Sequence, residues 1–235
     1  MNEGSSRVFV ETRHLGKQVN TRDGVLILLH DINFSVEAGT SLAILGASGS
    51  GKTTLLGLLA GLDLPTEGEV ILDGYGLNAF DEDGRAQLRA ERVGFVFQSF
   101  QLLPGLTAVE NVMLPLELAR AVQPRQTAEQ ILSRVGLGQR FHHYPNQLSG
   151  GEQQRCAIAR AFATQPRCLF ADEPTGNLDS DTGKRIIELL FELNAEHGTT
   201  LIMATHDPHL SRLCQQRLYL DAGRLVEPQV ATRHG

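Results

Sequence analysis

Residues Gly46-Ala47-Ser48-Gly49-Ser50-Gly51-Lys52-Thr53-Thr54 follow directly on the apolar stretch Leu42-Ala43-Ile44-Leu45. Glycines at this spacing let successive backbone N–H groups turn inward around a phosphate that side chains would block. The helix expected from Lys52 onward adds the positive end of its dipole. Lys52 supplies a point charge for the β- and γ-phosphates, and the Thr53 hydroxyl a ligand for Mg²⁺. The spacing is G-x-x-x-x-G-K-[ST] in its required setting, with a strand before and a helix after. The chain has only three lysines, Lys17, Lys52 and Lys184, so the placement of Lys52 owes little to chance. A second reactive feature is Cys168-Leu169-Phe170-Ala171-Asp172-Glu173, an apolar strand ending in two carboxylates. Asp172 is suited to hold the Mg²⁺ of a bound nucleotide. Neighbouring side chains on an extended segment diverge, which leaves Glu173 to polarise a water for in-line attack on the γ-phosphorus.

The elements that must position these groups alternate along the chain. Short strands are expected at 8–12, 26–36 and 41–45, a helix at 52–60, and a strand at 69–72. A charged helix over 80–92 leads into an apolar, β-prone stretch at 93–97. Helical patterns then occupy 108–121, 126–135 and 149–163, the last entered through Ser149-Gly150-Gly151. Beyond them come a strand at 168–171, a helix at 180–196 stopping at Gly198, a strand at 200–204 and a final strand at 218–220. Strand–helix alternation predicts a parallel sheet covered by helices, and the all-helical stretch reads as an inserted lobe.

Composition narrows the classes further. The 235 residues are 41% hydrophobic and 20% charged, with a net charge of −6, which excludes disordered and fibrous chains. The acidic balance argues against a bulk electrostatic grip on nucleic acid or anionic lipid. The longest apolar run, 55–62, is far short of the roughly 20 residues that span a bilayer. The N-terminus carries Glu3 and no apolar segment, so no secretory signal is expected. Cys156, Cys168 and Cys214 are widely spaced without a CxxC, and read as reduced core residues. His142 and His143 match nothing catalytic and read as surface residues.

The segment Leu148-Ser149-Gly150-Gly151-Glu152-Gln153-Gln154-Arg155 is a second phosphate-receiving device, with a hydroxyl, free N–H groups and a helix dipole. With it, the chain strongly resembles the nucleotide-binding subunits of ABC transporters, whose signature is of the LSGGQ type. The resemblance runs through nearly the whole chain in the family's order. It implies an α/β fold: a P-loop NTPase (RecA-like) core with an N-terminal antiparallel β subdomain and an inserted α-helical subdomain. One domain, 1–235, would hold core and β subdomain at about 1–98 and 164–235 and the helical subdomain at about 99–163. It further implies a homodimer in which Ser149, Gly150 and Gly151 of one copy close on the ATP held by Lys52 of the other. Gln98 fits the Q-loop glutamine, which contacts metal and attacking water. Asn177-Leu178-Asp179 fits the D-loop, placing Asp179 near the nucleotide, and His206 in Thr205-His206-Asp207 fits the switch histidine. Glu173, His206 and Gln98 are thus the implied catalytic residues. ATP would lie on 46–54, and Mg²⁺ on Thr53, Gln98 and Asp172. One departure is visible: many members stack adenine on an aromatic residue near the position of Val19, and 16–22 holds none. Adenine stacking is then weak or supplied by another element.

Two longer stretches, 93–112 and 170–179, resemble the bacterial subgroup of lipoprotein-releasing (LolD), macrolide-exporting (MacB) and cell-division (FtsE) ATPases. The later Gly198-Thr199-Thr200-Leu201-Ile202-Met203 looks most like its YbbA-type branch. This implies an integral-membrane permease partner with a large extracytoplasmic domain, no nucleic-acid partner, and a place on the inner face of the bacterial cytoplasmic membrane. ATP hydrolysis would drive export, extraction or remodelling of a hydrophobic or envelope substrate. A membrane clamp or scaffold with little transport activity is the alternative. Chromosome-maintenance relatives would need a long coiled coil between the two motifs, and translation-associated relatives a second cassette.

Overall fold

Segments rich in β-branched and aromatic residues form two sheets, and helices cover the larger one. The computed structural model describes residues 7–22 and 24–227; the reading of the N-terminal residues 1–6 lies outside them. The chain begins with a long hairpin, β1 (Val8–Thr21) and β2 (Gly24–Glu37), and then enters the core strand β3 (Ser41–Leu45). Helix α1 (Lys52–Leu59), strands β4 (Glu67–Leu72) and β5 (Tyr75–Gly76), helix α2 (Glu82–Arg92) and strand β6 (Val93–Phe97) follow. Three helices come next: α3 (Ala108–Leu118), α4 (Pro124–Arg134) and α5 (Gly150–Phe162). Strand β7 (Cys168–Asp172), helix α6 (Ser180–His197), strand β8 (Thr200–Thr205), the short α7 (Pro208–Leu213), β9 (Gln216–Asp221) and β10 (Arg224–Val226) complete it.

The smaller sheet is antiparallel, in the order β2-β1-β4-β5. The larger has the order β10-β9-β3-β8-β7-β6, parallel from β9 to β6. Every residue of β3 and β8 is buried, which is why these strands read as continuous apolar runs rather than alternating ones. Successive side chains still go to opposite faces. Ala43, Leu169, Ala171, Leu201 and Met203 pack with α3 to α6, while Leu42, Ile44, Phe170, Ile202 and Ala204 pack with α1 and the small sheet. Strand register pairs Leu45 with Thr205, Ala204 with Asp172, and Asp172 with Phe97. The carboxyl ends of β3, β8, β7 and β6 therefore share one edge, and the residues following them converge there.

Some expectations need correction. The first strand continues past residue 12 to Thr21, through register shifts at a bulge where His14 has φ 48°. The strand expected last at 218–220 is β9, and Ala222 and Gly223, both at positive φ, turn it back into β10. Proline at the first position starts α4 at Pro124 rather than 126, and α3 ends at Leu118 rather than 121. His142 is exposed, but His143 is half-buried. The three cysteines are free and buried.

At the amino ends of β6 and β7, the Asp73 carboxylate is fully buried and ion-paired with Arg7 and Arg167, each at 2.8 Å, and with Arg92. Removing its charge leaves three guanidiniums facing one another. Asn tolerates the left-handed backbone that Asp73 adopts at φ 52°, so Asp73→Asn isolates the electrostatic loss. Arg7 and Arg167 are about half exposed, so the cost falls at the low end of the range for a broken buried pair, about 3 kcal/mol. Urea unfolding of Asp73→Asn is expected to show that loss; a midpoint equal to the parent's would show the cluster to be energetically idle.

Candidate functional site

The loop between β3 and α1 turns on Gly51, whose φ of 105° is left-handed and whose Cβ, if present, would come within 3.0 Å of the Leu28 carbonyl. Helix α1 has no capping side chain and no acid in its first turn. In contrast, Thr107, Ser149 and Asp179 each cap α3, α5 and α6 with a side-chain oxygen. The first N–H groups of α1 are thus left for an anion. Lys52 is buried, and its ammonium donates to the Gly46 and Ala47 carbonyls at 2.9 and 3.0 Å. The buried Ser50 hydroxyl has no hydrogen-bond partner.

Across from the loop, burial raises the Asp172 carboxyl above the usual range; a hydrogen bond from Thr53 and the charge of Lys52 oppose this, while neighbouring Glu173 adds to it. One buried Asp172 oxygen, Oδ1, lacks a partner. Glu173 sits 3.8 Å from Lys52 Nζ through one oxygen and 3.3 Å from His206 Nδ1 through the other. Its backbone is left-handed at φ 45°, and its N–H donates to the Ala204 carbonyl at 3.0 Å, fixing the turn. Such a strained non-glycine residue is held by its surroundings. Asp172 and Glu173 diverge, but not through the extended backbone expected: β7 ends at Asp172, and the left-handed turn at Glu173 sends its side chain to His206 while Asp172 lines the cavity with Thr53.

That cavity, of about 610 Å³, is lined by Thr53, Gln98, Asp172 and Asn177 among others. Gln98 and Asn177 bind each other reciprocally, Gln98 Nε2 to Asn177 Oδ1 at 3.4 Å and Asn177 Nδ2 to the Gln98 carbonyl at 2.9 Å. Gly176 permits this approach, since a Cβ there would meet Gln98 Nε2 at 2.6 Å.

The structure therefore brings Lys52, Thr53, Gln98, Asp172, Glu173 and His206 together. Ser149, Gly150 and Gly151 stand elsewhere: among the described residues, no hydrogen bond or ion pair joins them to the 46–54 loop. Ser149 caps α5 in a reciprocal box, its Oγ donating to Glu152 Oε2 at 2.9 Å. Glu152, hydrogen-bonded by Arg140 and by the Ser149 N–H, is held down to about 2. A Cβ on Gly151 would come within 2.6 Å of Thr182, so the glycines lie against the start of α6. Asp179 caps α6 by accepting the Thr182 N–H at 3.0 Å, which lowers its pKa. Val19 is half-buried and pairs with Leu26, beside the exposed Val25 and Ile27, so aliphatic rather than aromatic side chains occupy that part of the hairpin.

A family model described as ABC transporter matches residues 29–176. This chain belongs to the ABC transporter ATP-binding family. It is 53% identical over 220 residues to an uncharacterized ABC transporter ATP-binding protein, YbbA of Escherichia coli K12, covering 93% of this chain and 96% of the relative. It is 46% identical over 225 residues to the lipoprotein-releasing system ATP-binding protein LolD of Pseudomonas syringae, covering 95% and 99%. The ATP-binding cassette MJ0796, solved as a dimer in a post-hydrolysis state bound to ADP and Pi, superposes with a TM-score of 0.87 at 40% identity, covering 93% and 97%. The fold is thus the P-loop NTPase fold of ABC cassettes, and the chain is an ATPase, the ATP-binding subunit of an ABC transporter.

Motif matching in this ABC ATPase misses residues that hold the motifs in place. Asn177 is hydrogen-bonded to Gln98, yet an asparagine beside Gly176 and Leu178 carries no sign in the sequence of what it pairs with. Gln154 is fully buried, and its amide donates to the Pro174 carbonyl at 2.5 Å, tying α5 to the turn after Glu173. A polar residue among Cys156, Ala157 and Ile158 on the inner face of a helix is the available signal.

Proposed function

We propose that this ATPase pairs head to tail with a second copy when ATP is bound. The pair drives an integral-membrane permease with a large extracytoplasmic domain, on the inner face of the bacterial cytoplasmic membrane. The substrate is a hydrophobic or envelope molecule that is exported, extracted or remodelled. The observation carrying this reading is the separation, within one chain, of two phosphate-receiving features. The 46–54 loop has an uncapped helix start and an unpartnered Ser50 hydroxyl, while exposed Ser149 heads a different helix, with no hydrogen bond or ion pair to that loop among the described residues. A site needing both is completed by a partner copy.

The residues fit Mg²⁺ as well as ATP. Asp172 has an unpartnered oxygen beside the Thr53 hydroxyl, and Gln98 lines the same cavity. These three would hold the ion, which when bound neutralises charge on the β- and γ-phosphate oxygens. Lys52 and the first N–H groups of α1 bind and orient the triphosphate. Glu173 accepts a proton from the attacking water, and His206, 3.3 Å from its carboxylate, holds it in line.

Complementation tests the composite site. Lys52→Ala and Ser149→Arg proteins, each inactive alone, are expected to recover turnover when mixed, with intact composite sites restored to roughly a quarter of the wild-type number. A mixture as inactive as its components would overturn the head-to-tail pairing.

The permease is proposed to dock in a second cavity, of about 400 Å³, between β6 and the ends of α3 and α5, lined by Phe95, Phe97, Leu114, Pro115 and Leu118. Leu118 is 74% exposed at its rim and Leu103 is 44% exposed nearby in sequence to Gln101, which lines it. Leu103→Glu and Leu118→Glu are expected to keep basal turnover while losing the membrane partner that co-purifies with the parent after mild detergent extraction. Undiminished co-purification would reject this surface.

A further inference from the structure

Arg160, in the last turn of α5, belongs to none of the motifs, yet its guanidinium forks onto two consecutive carbonyls, Gln101 O at 2.7 Å and Phe100 O at 3.1 Å. Phe100 and Gln101 are both non-glycine residues in left-handed backbone, with φ of 60° and 50°. Two such residues in succession are strained and persist only where something holds them. Among the described residues Arg160 has no carboxylate partner, and burial lowers its pKa. A partly buried cation satisfied by backbone carbonyls alone is an unusual outlay for packing. Its helix is anchored: Ala157, Ile158, Ala159 and Phe162 are fully buried, and Gln154 ties α5 to Pro174. The clamped turn begins two residues after Gln98, whose side chain lies against Gly176 and Asn177.

We propose that Arg160 is a positioning residue for ATP hydrolysis: its guanidinium locks the left-handed turn at Phe100 and Gln101 and thereby fixes Gln98 on the cavity it shares with Asp172. This rests on the reading of Gln98 as a residue that meets the metal and the attacking water. A planar fork bonding two adjacent carbonyls fits arginine better than lysine.

The test uses the full chain. Arg160→Met is expected to lower kcat about 10- to 100-fold, as small misplacements of catalytic groups do, while the Kd for a fluorescent ATP analogue stays unchanged. Adding Gln101→Gly is expected to return most of the lost kcat, because glycine adopts left-handed backbone without a clamp. Parent-like kcat in Arg160→Met overturns the proposal. So does a loss of folding or of kcat that Gln101→Gly does not relieve, since that is the mark of a packing role. Gln98→Ala, measured beside them, separates the two readings. If it turns over at the parent rate, both fall; if it is slow while Arg160→Met is fast, the clamp alone falls.

Discussion

Glu173→Gln protein is expected to accumulate as an ATP-dependent dimer that turns over about 10²- to 10⁴-fold more slowly than the parent, the range a general base contributes. The substitution is nearly isosteric, and what fixes the residue is backbone: the left-handed φ of 45° and the bond from its N–H to Ala204. Both survive the change, so the loop stays in place and the carboxylate's capacity to take a proton is lost. The contacts with Lys52 at 3.8 Å and His206 at 3.3 Å lose their charge as well. If ATP binds well only to the paired state, a protein that binds but cannot hydrolyse is drawn by mass action into the dimer. Size-exclusion chromatography with saturating ATP and Mg²⁺ reads the association, and phosphate release reads the turnover. A protein that remains monomeric under those conditions contradicts the pairing, whatever its rate. One that dimerises while hydrolysing at the parent rate contradicts the role of Glu173.

The contrast between motif and support explains how much could be read from the sequence. The 46–54 loop was legible because phosphate chemistry restricts residue type at Gly46, Gly51, Lys52 and Thr53 and fixes the spacing between them. The strands feeding it were legible because burial on both faces forces continuous apolar runs, as in β3 and β8. The stop of α6 at Gly198 was legible too, since the left-handed φ of 62° there favours glycine. Where structure depends on partners distant in the chain, the pattern was silent. The hairpin β1–β2 runs on through a bulge in which His14 pairs with Asp31, and the bulge breaks the alternation that marks a strand. Helix α7 is six residues long, too short to establish a period.

The same division runs through the site. Lys52, Asp172 and Glu173 are recognisable by type and setting, His206 only through the family resemblance, and register then brings the strand ends that carry them to one sheet edge. Their second tier is not recognisable that way. Asn177 holds Gln98 across a separation of 79 residues, and Arg160 holds the turn at Gln101 across 59. Left-handed backbone at Glu173, Phe100 and Gln101 is likewise imposed by tertiary contacts, since none of these types favours it. What the sequence offers there is only an arginine and a glutamine within the helix α5.

Lys52→Ala separates nucleotide capture from everything downstream of it. In the parent, the Lys52 side chain is 6% exposed and its ammonium rests on two loop carbonyls, Gly46 and Ala47, so the loop already contains a largely desolvated cation when the triphosphate arrives. Truncating one side of a buried, hydrogen-bonded charge pair costs about 2–5 kcal/mol, so the Kd for ATP is expected to weaken by about 30-fold to 1,000-fold or more. The loss has two parts. The phosphates forfeit a charged donor, and they meet Asp172 and Glu173 without the cation that faces both carboxylates. Titration calorimetry measures the affinity directly, and an ATP affinity within about threefold of the parent would remove Lys52 from the phosphate site. On the proposed ATP-dependent pairing, the Lys52→Ala, Glu173→Gln double variant is expected to stay monomeric at ATP concentrations that fully pair Glu173→Gln alone. That outcome would place Lys52 before Glu173: the double variant would report the capture defect, with the hydrolysis defect invisible in it.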